Sequence, residues 1–153
     1  MSGSLLQYVT FFLDESLLGI NVMQVQELLP PQTMTTVPLA AAEVRGLLNL
    51  RGHIVPAIDL RLRFGYSEET DINQAMNVIV RHRGELKSIL VDRIGDVLEF
   101  DKSTLEPPPS GGEHSASAYT RGVHQLESSL LLVLNVERIF EPDTRVLQKA
   151  SSN

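Results

Sequence analysis

The stretch GLLNLRGHIVPAI, from Gly46 to Ile58, is the most informative part of the chain. Two short apolar runs, at residues 46–50 and 54–58, flank the turn signal Arg51-Gly52-His53. Runs of this kind, interrupted by a glycine, are typical of two β-strands joined by a turn. Because an unpaired charge is very costly to bury, the Arg51 guanidinium must reach water, meet a carboxylate or face a partner.

Short strands of the same kind recur along the rest of the chain. Polar or glycine-containing turns separate them, for example Arg83-Gly84, which favours a hairpin. The further strands are expected at residues 6–13, 17–20, 76–81, 86–91, around 97–98, and at 122–126 and 130–134. Many short strands with turn signals and few helices indicate a mainly β barrel or barrel pair.

Two helices are expected between these strands. The first begins at Asn21, a favourable N-cap with Gln24 three residues later, and runs to the prolines at residues 30–31. Val25 lies on its apolar face and Glu27 on a different face. A second, short helix follows the N-cap residue Asn135. The segment 106–117, rich in proline, glycine and serine, is expected to be flexible.

The composition is typical of a globular protein and limits the classes of partner. The 153 residues allow one domain or two small lobes that share a core. A net charge of −6 argues against nucleic acid or an anionic membrane surface as the main partner. The longest apolar run, at residues 130–134, is too short for direct membrane insertion. The absence of cysteine excludes disulfides and thiolate metal sites and is compatible with a cytoplasmic location.

No catalytic or cofactor motif is present in the sequence. The four histidines lack metal-ligand spacing, and the chain has neither a Gly-rich phosphate loop nor a nucleophile elbow. We therefore expect no enzyme activity, no metal and no cofactor. One alternative is a small hydrolase using Asp59 and Asp92, each of which closes an apolar strand. Aspartates at strand ends more often cap turns.

Arg51 and Glu27 are the most interesting pair of charges. They could form an ion pair that fixes one segment against the turn, or a recognition surface, and the two interpretations are compatible. Val25 likewise has two interpretations: its side chain faces the core, or it faces a partner. Gly46 and Gly52 serve either backbone geometry or close contact with a partner.

Three segments of the chain carry a resemblance to a known family. They are Leu18-Gly19-Ile20, Val25-Gln26-Glu27-Leu28 and the continuous run from Arg45 to Arg61. Together they resemble the CheW-like domain, the coupling module of bacterial chemotaxis. Leu86 to Asp92 with Gly95-Asp96-Val97 looks like the central hairpin of that family, and residues 121–123 and 131–139 look like its last strands and closing helix.

The resemblance implies a fold and a domain organisation. The expected fold is mainly β, with two intertwined five-stranded SH3-like barrels around a shared core and short helices. The domain would span residues 6–141, between a flexible N-terminus at residues 1–5 and a C-terminal tail at residues 142–153.

The resemblance also implies a function without catalysis. Such an adaptor bridges the cytoplasmic tip of methyl-accepting chemoreceptors and the regulatory domain of a CheA-type histidine kinase. It is cytoplasmic and reaches membrane receptor arrays through these partners. Four residues match positions linked in the family to coupling: Val25, Glu27, Gly46 and Arg51. Three match positions that support the motif and its turn: Asn49, Gly52 and Asp59.

Two alternatives to this function stay open at the level of sequence. The same kind of coupler serves type IV pilus and other non-flagellar signalling systems. A β-barrel module that binds an unrelated peptide or helix would also satisfy the pattern of strands.

Overall fold

The computed structural model describes residues 4–108 and 115–141, and β-strands dominate its secondary structure. The strands are β1 (Leu5–Leu13), β2 (Ser16–Asn21), β3 (Val25–Leu29), β4 (Val44–Leu50), β5 (His53–Asp59), β6 (Met76–His82), β7 (Glu85–Val91), β8 (Arg93–Asp101), β9 (Thr120–Gln125) and β10 (Leu130–Leu134). Three four-residue helices accompany them: α1 (Leu60–Arg63), α2 (Ser115–Ala118) and α3 (Val136–Ile139). Two single 3₁₀ turns lie at Val22–Gln24 and Lys102–Thr104.

The strands form two five-stranded sheets with the same pattern of pairing. The first barrel has the order β8-β1-β2-β10-β9 and the second barrel the order β3-β6-β7-β5-β4. In each order the successive pairs are antiparallel, antiparallel, parallel and antiparallel. The second barrel is one continuous segment inserted between β2 and β8 of the first. The expectation of two intertwined SH3-like barrels is therefore confirmed.

A short backbone bridge links the two edges of each barrel. In the second barrel Thr35 and Leu47 exchange two N–H···O bonds of 2.8 Å, and in the first Glu106 and Val123 do the same. Leu47 belongs to β4 and Val123 to β9, the last strands in the two sheet orders. Because these bonds pair groups that an open edge would leave free, they close the barrels.

The largest apolar cluster lies between the barrels. Alternate residues of each central strand point to different cores: in β6, Val78 and Val80 join the shared cluster, whereas Ile79 fills the second barrel. Both barrels contribute to the shared cluster: Phe11, Leu13, Leu18, Ile20, Leu134, Val136 and Ile139 come from the first, and Ile58, Leu60, Phe64, Val80, Ile89 and Val91 from the second. Since strand segments buried on both faces favour apolar residues, β6 and β7 contain short continuous apolar runs at residues 78–80 and 89–91.

The expected hairpins are present. The Arg83-Gly84 turn between β6 and β7 has positive φ at both residues, 52° and 79°, as a type I′ turn requires. The β1–β2 and β9–β10 hairpins also follow the prediction, as does α3, whose first turn is capped by Asn135. The helix α1, which begins after Asp59, was not foreseen.

The helix expected after Asn21 is wrong beyond its first turn. Asn21 does act as a cap, since its Oδ1 accepts the Met23 N–H at 2.9 Å, but only one 3₁₀ turn follows. From Val25 the chain is the strand β3, whose residues alternate in burial and pair with β6. The helix prediction placed Val25 and Glu27 on different faces of a helix. In the strand, a register shift in the pairing with β6 lies between these two residues.

The segment expected to be flexible is described only at its two ends. Glu106 pairs with Val123, and α2 begins at Ser115, while residues 109–114 lie outside the described part. Residues 1–3 and 142–153, most of the expected N-terminus and tail, also lie outside it, and Leu5 already belongs to β1. Among the described residues no helix is long and apolar enough to cross a membrane.

Candidate functional site

Arg51 and Gly52 form the two-residue turn between β4 and β5. Their φ angles are +51° and +87°, so the turn is of the type I′ class that continues the twist of a hairpin. Leu50 and His53 pair across it, and the Asn49 Oδ1 accepts the Gly52 N–H at 2.9 Å. The turn is therefore well defined, and it holds Arg51 in a backbone conformation that side-chain-bearing residues rarely adopt.

Arg51 forms an ion pair with Glu27 across the seam of the second barrel. Its Nη2 donates to Glu27 Oε1, and Nη1 lies 3.5 Å from Oε2. The hydrogen bond to Glu27 and then the negative charge of Glu27 raise the pKa of Arg51 above its ordinary value. Since Glu27 belongs to β3 and Arg51 follows β4, the pair joins the two edge strands of this barrel.

The paired guanidinium stays accessible. The Arg51 side chain is 66% exposed and that of Glu27 26%, so the pair joins the two edge strands and still presents a guanidinium to solvent. Next to the turn, Ile54 is 63% exposed. It borders a shallow depression of about 400 Å³ that also includes His53 and Arg81.

We call this region the seam patch and define it by Glu27, Arg51, His53, Ile54 and Arg81. Arg81 is fixed at its border by a 3.1 Å hydrogen bond from Nη2 to Gln26 Oε1. Sequence reasoning identified Glu27 and Arg51 but not Ile54. The signal for Ile54 was its place directly after the turn, where a strand residue can face outward.

Val25 and Gly46 are less exposed than most residues of the seam patch. Val25 is partly buried and packs against the shared core. Gly46 is buried, and a Cβ there would lie only 2.9 Å from Met34 Cβ and from the Thr35 carbonyl oxygen. A side chain at residue 46 would therefore push the closing bridge of the second barrel away from β4. The contacts of Gly46 are therefore with the closing bridge of the second barrel.

Asp59 lies away from the Arg51 turn, at the centre of a separate buried network. Its fully buried carboxylate accepts from Arg45 Nη1 at 2.7 Å and from the Thr70 N–H and hydroxyl at 2.9 and 2.7 Å. It also accepts the Arg61 N–H at 3.0 Å, which makes it the N-cap of α1. Asp59 therefore stabilises this helix and the 67–74 loop.

Asp92 is bound by a different arginine. Arg61 Nε donates to Asp92 Oδ1 at 3.0 Å, and Nη2 reaches both Asp92 and Asp14. Burial alone would raise the pKa of Asp92, but hydrogen bonds from Arg61 and from the Asp14 N–H, with the charge of Arg61, outweigh it, so the pKa is lowered. The same contacts raise the pKa of Arg61.

These contacts bear on the hydrolase alternative. Asp59 and Asp92 do not form a carboxylate pair that could share a proton, because each is neutralised by its own arginine. Within residues 4–108 and 115–141 no group of three or more acidic or histidine side chains has the arrangement of a metal site.

Comparisons with known proteins agree with this description. The model of the CheW-like domain matches residues 7–143. The chemotaxis protein CheW of Treponema pallidum is 33% identical over 150 residues, which cover 95% of this chain and 87% of the relative. The CheW of Helicobacter pylori is 28% identical over 138 residues, 90% and 83% of the two chains.

A solved structure supports the same assignment. The scaffolding protein TtCheW from Thermoanaerobacter tengcongensis superposes with a TM-score of 0.82 at 28% identity, over 90% of this chain and 94% of that one. The chain therefore belongs to the CheW-like domain family. This is a family of chemotaxis adaptors, and the resemblance seen in the sequence is confirmed.

Proposed function

We propose that this protein couples methyl-accepting chemoreceptors to a CheA-type histidine kinase, and that the seam patch is one of its two docking surfaces. The observation that carries the proposal is the accessible Arg51–Glu27 pair on a well-defined turn, beside the exposed Ile54. The relatives named as chemotaxis and scaffolding proteins support the class of function.

The chemistry of the patch suits a helical partner with mixed character. Arginine presents planar donors that bind carboxylates in a fork, and it is enriched at the energetic centres of interfaces. Ile54 and the neighbouring depression can take an apolar side chain, as grooves that receive one face of an amphipathic helix do. A chemoreceptor tip, which is a helical hairpin, presents such a face.

The adaptor acts by binding and not by turnover. One partner lies on the seam patch and the second, the regulatory domain of the kinase, on another face. A receptor state that changes the contacts of the first partner then alters the free energy of the second. The protein is carried to receptor arrays in the membrane by these partners.

The experiment that tests the proposal reverses the charge at Arg51. We expect Arg51→Glu to leave the circular dichroism spectrum unchanged and to weaken partner binding by at least about tenfold, as loss of an interface anchor does. Binding of a receptor cytoplasmic fragment and of the kinase is measured separately, together with kinase activation. Arg138→Glu, which reverses an exposed charge on α3, is the matched control.

A charge swap separates the two interpretations of the ion pair. The variant Glu27→Arg/Arg51→Glu restores an opposite-charge pair across the seam but leaves no guanidinium at residue 51. If Arg51 contacts a partner, the swap stays defective; recovery of binding would assign the pair a purely structural role. Unchanged binding and activation in the folded Arg51→Glu variant would reject the seam patch as a docking surface.

A further inference from the structure

The chain crosses between the barrels at two points that differ in their bonding. One crossing is the 3₁₀ turn between β2 and β3, where Asn21 is the cap and Met23 is 88% exposed. The other is the single residue Asp92 between β7 and β8, whose side chain is only 23% exposed. Polar contacts link the barrels at this second crossing and also at α3, where His82 and Arg83 of the second barrel each lie 3.3 Å from Glu137.

Asp92 joins groups from both barrels. Arg61, on α1 of the second barrel, binds it through two nitrogens, with Nε at 3.0 Å from Oδ1. The Asp14 N–H, in the β1–β2 turn of the first barrel, donates to Asp92 Oδ2 at 2.6 Å. Arg61 also pairs directly with the Asp14 carboxylate. The Arg61 and Asp92 side chains are only 14% and 23% exposed, so their bonds are partly shielded from water, whereas Asp14 is 60% exposed.

The second arginine of the same helix binds the other end of the first barrel. Arg63 Nε donates to the carbonyl oxygen of Ile139 at 2.9 Å, at the last residue of α3. Its guanidinium also lies 6.0 Å from the centre of the Tyr119 ring, a residue that follows α2. A cation at the carbonyl end of a short helix satisfies groups that the helix leaves free.

The helix that carries both arginines is itself fixed in the second barrel. Asp59 caps it, and Arg45 and Thr70 hold Asp59 in turn. We propose that Arg61 and Arg63 are positioning residues for the adaptor function: they brace α1 against Asp92 and α3 and so set the angle between the barrels. This inference rests on the proposed function, because the angle determines how two partners bound to different faces are oriented.

The physical reason for assigning the angle to these arginines is directionality. The shared apolar core holds the barrels together, but apolar burial is nearly non-directional and tolerates small rotations. Hydrogen bonds between a planar guanidinium and a carboxylate require a defined geometry. Removing them leaves the barrels in contact and widens the range of angles they adopt.

The absence of cysteine makes a direct measurement possible. Spin labels are attached to Glu85→Cys in the second barrel and Gln125→Cys in the first, both exposed strand residues, and the distance distribution is recorded. We expect Arg61→Gln and Arg63→Gln each to broaden the distribution, and the double variant to broaden it most. Arg138→Gln, which removes an exposed arginine from α3, is the control and should leave it unchanged.

A functional measurement on unlabelled variants separates positioning from general stability. Arg61→Gln should bind a receptor cytoplasmic fragment and the kinase singly within about twofold of wild type. Activation of the kinase in the three-component mixture should fall by at least about fivefold, the size of a typical coupling energy. Loss of single-partner binding in parallel with activation would assign Arg61 to general stability instead.

Each outcome decides the proposal. Unchanged distances and unchanged coupling in Arg61→Gln would overturn it while leaving the proposed function intact. If Arg61→Gln does not fold, the milder Arg61→Lys and Asp14→Asn replace it, and wild-type behaviour in both would also overturn the brace. A wild-type protein that binds neither partner would reject the proposed function, whereas the distance measurement would still test the brace.

Discussion

The two barrels have the same strand order but differ in the polar groups that they bury. In each, a two-bond bridge closes the seam, a glycine lies beside that bridge, and a one-turn helix follows the strand that runs parallel to its neighbour. The first barrel buries the rings of Tyr8 and His124, and His124 also bonds to the exposed Thr104. The second buries Asp59 with Arg45 and Thr70.

This comparison separates the features that both barrels share from the features found in only one of them. Closure and a helix cap are common to both barrels and so belong to the fold. The two-residue turn with Arg51 belongs to the second barrel, whereas the corresponding β9–β10 connection is longer, spanning residues 126–129. The buried Asp59 network of the second barrel stabilises α1 and the 67–74 loop and makes no hydrogen bond with the Arg51 turn.

The largest effect is expected at the helix cap of the second barrel, Asp59, with the cap of the first barrel, Asn135, as the comparison. Asp59→Ala removes the fully buried carboxylate and leaves Arg45, 14% exposed, without its partner, which should destabilise the protein by about 3–5 kcal/mol. Asn135→Ala removes one cap bond to the Arg138 N–H, 3.3 Å long, and should cost about 1 kcal/mol. Urea denaturation of both variants measures the difference.

The two caps thus test whether the second barrel carries the greater internal constraint. Equal destabilisation by Asp59→Ala and Asn135→Ala would show that the Asp59 network is no more than a helix cap.

The closing glycines should have the next largest effect. In Gly122→Ala the new Cβ would lie 2.7 Å from the Glu106 carbonyl oxygen, and in Gly46→Ala 2.9 Å from that of Thr35. Since the obstacle in both is backbone, each bridge must open, at a cost of about 1–3 kcal/mol. Hydrogen exchange should become faster at Glu106 and Val123 in the first variant and at Thr35 and Leu47 in the second.

The local response is the decisive part of this experiment. If Gly46→Ala leaves exchange at Thr35 and Leu47 unchanged, the glycine is not required for closure of the second barrel. If Gly46→Ala also weakens partner binding while Gly122→Ala does not, the effect passes through the seam patch.

Much of this architecture is predictable from sequence because strand and turn signals are local. Arg83-Gly84 supplies positive φ at both positions, and the strands beside it contain the apolar runs 78–80 and 89–91. The helix prediction for residues 25–29 was wrong because the apolar residues of this segment satisfy helical spacing by chance. Pairing with β6 and burial on alternate residues decided its structure, which is tertiary information.

The contacts of the candidate site likewise depend on tertiary structure and are not encoded in local sequence patterns. The resemblance pointed to Arg51 and Glu27, 24 residues apart, and the structure brings them together. Arg61 and Asp92, 31 residues apart, were noticed only as separate charges. No local pattern encodes such a pair, because the partners meet only after both barrels have formed.

The His124 ring of the first barrel has a defined proton arrangement. The Thr104 hydroxyl donates to the Asp101 carbonyl oxygen at 2.8 Å, so it offers a lone pair to His124 Nδ1, 3.0 Å away. This assigns the proton of neutral His124 to Nδ1 and leaves Nε2 to accept the Tyr8 hydroxyl proton at 3.0 Å. Phe100 stacks on the imidazole with centroids 4.3 Å apart.

The smallest expected effect is a pH dependence of stability that belongs to the first barrel. Burial disfavours the charged imidazole and lowers the pKa of His124, and a hydrogen bond with the Thr104 backbone and the charge of Glu106 oppose this only in part. Between the folded and unfolded pKa values the unfolded chain binds more protons, so stability rises with pH there. The contribution is complete above the unfolded value of about 6.5 and is lost as pH falls towards the folded value.

The contribution of His124 is isolated by difference. Urea midpoints of wild type and His124→Gln are measured from neutral to mildly acidic pH, and the wild-type advantage should shrink as the solution is acidified. The second barrel's Asn77–Ser88 pair, with a 2.8 Å hydrogen bond, has no titrating group and serves as the contrast, through Ser88→Ala. A difference between wild type and His124→Gln that is constant with pH, or that grows in acid, would show that His124 is not held neutral by burial.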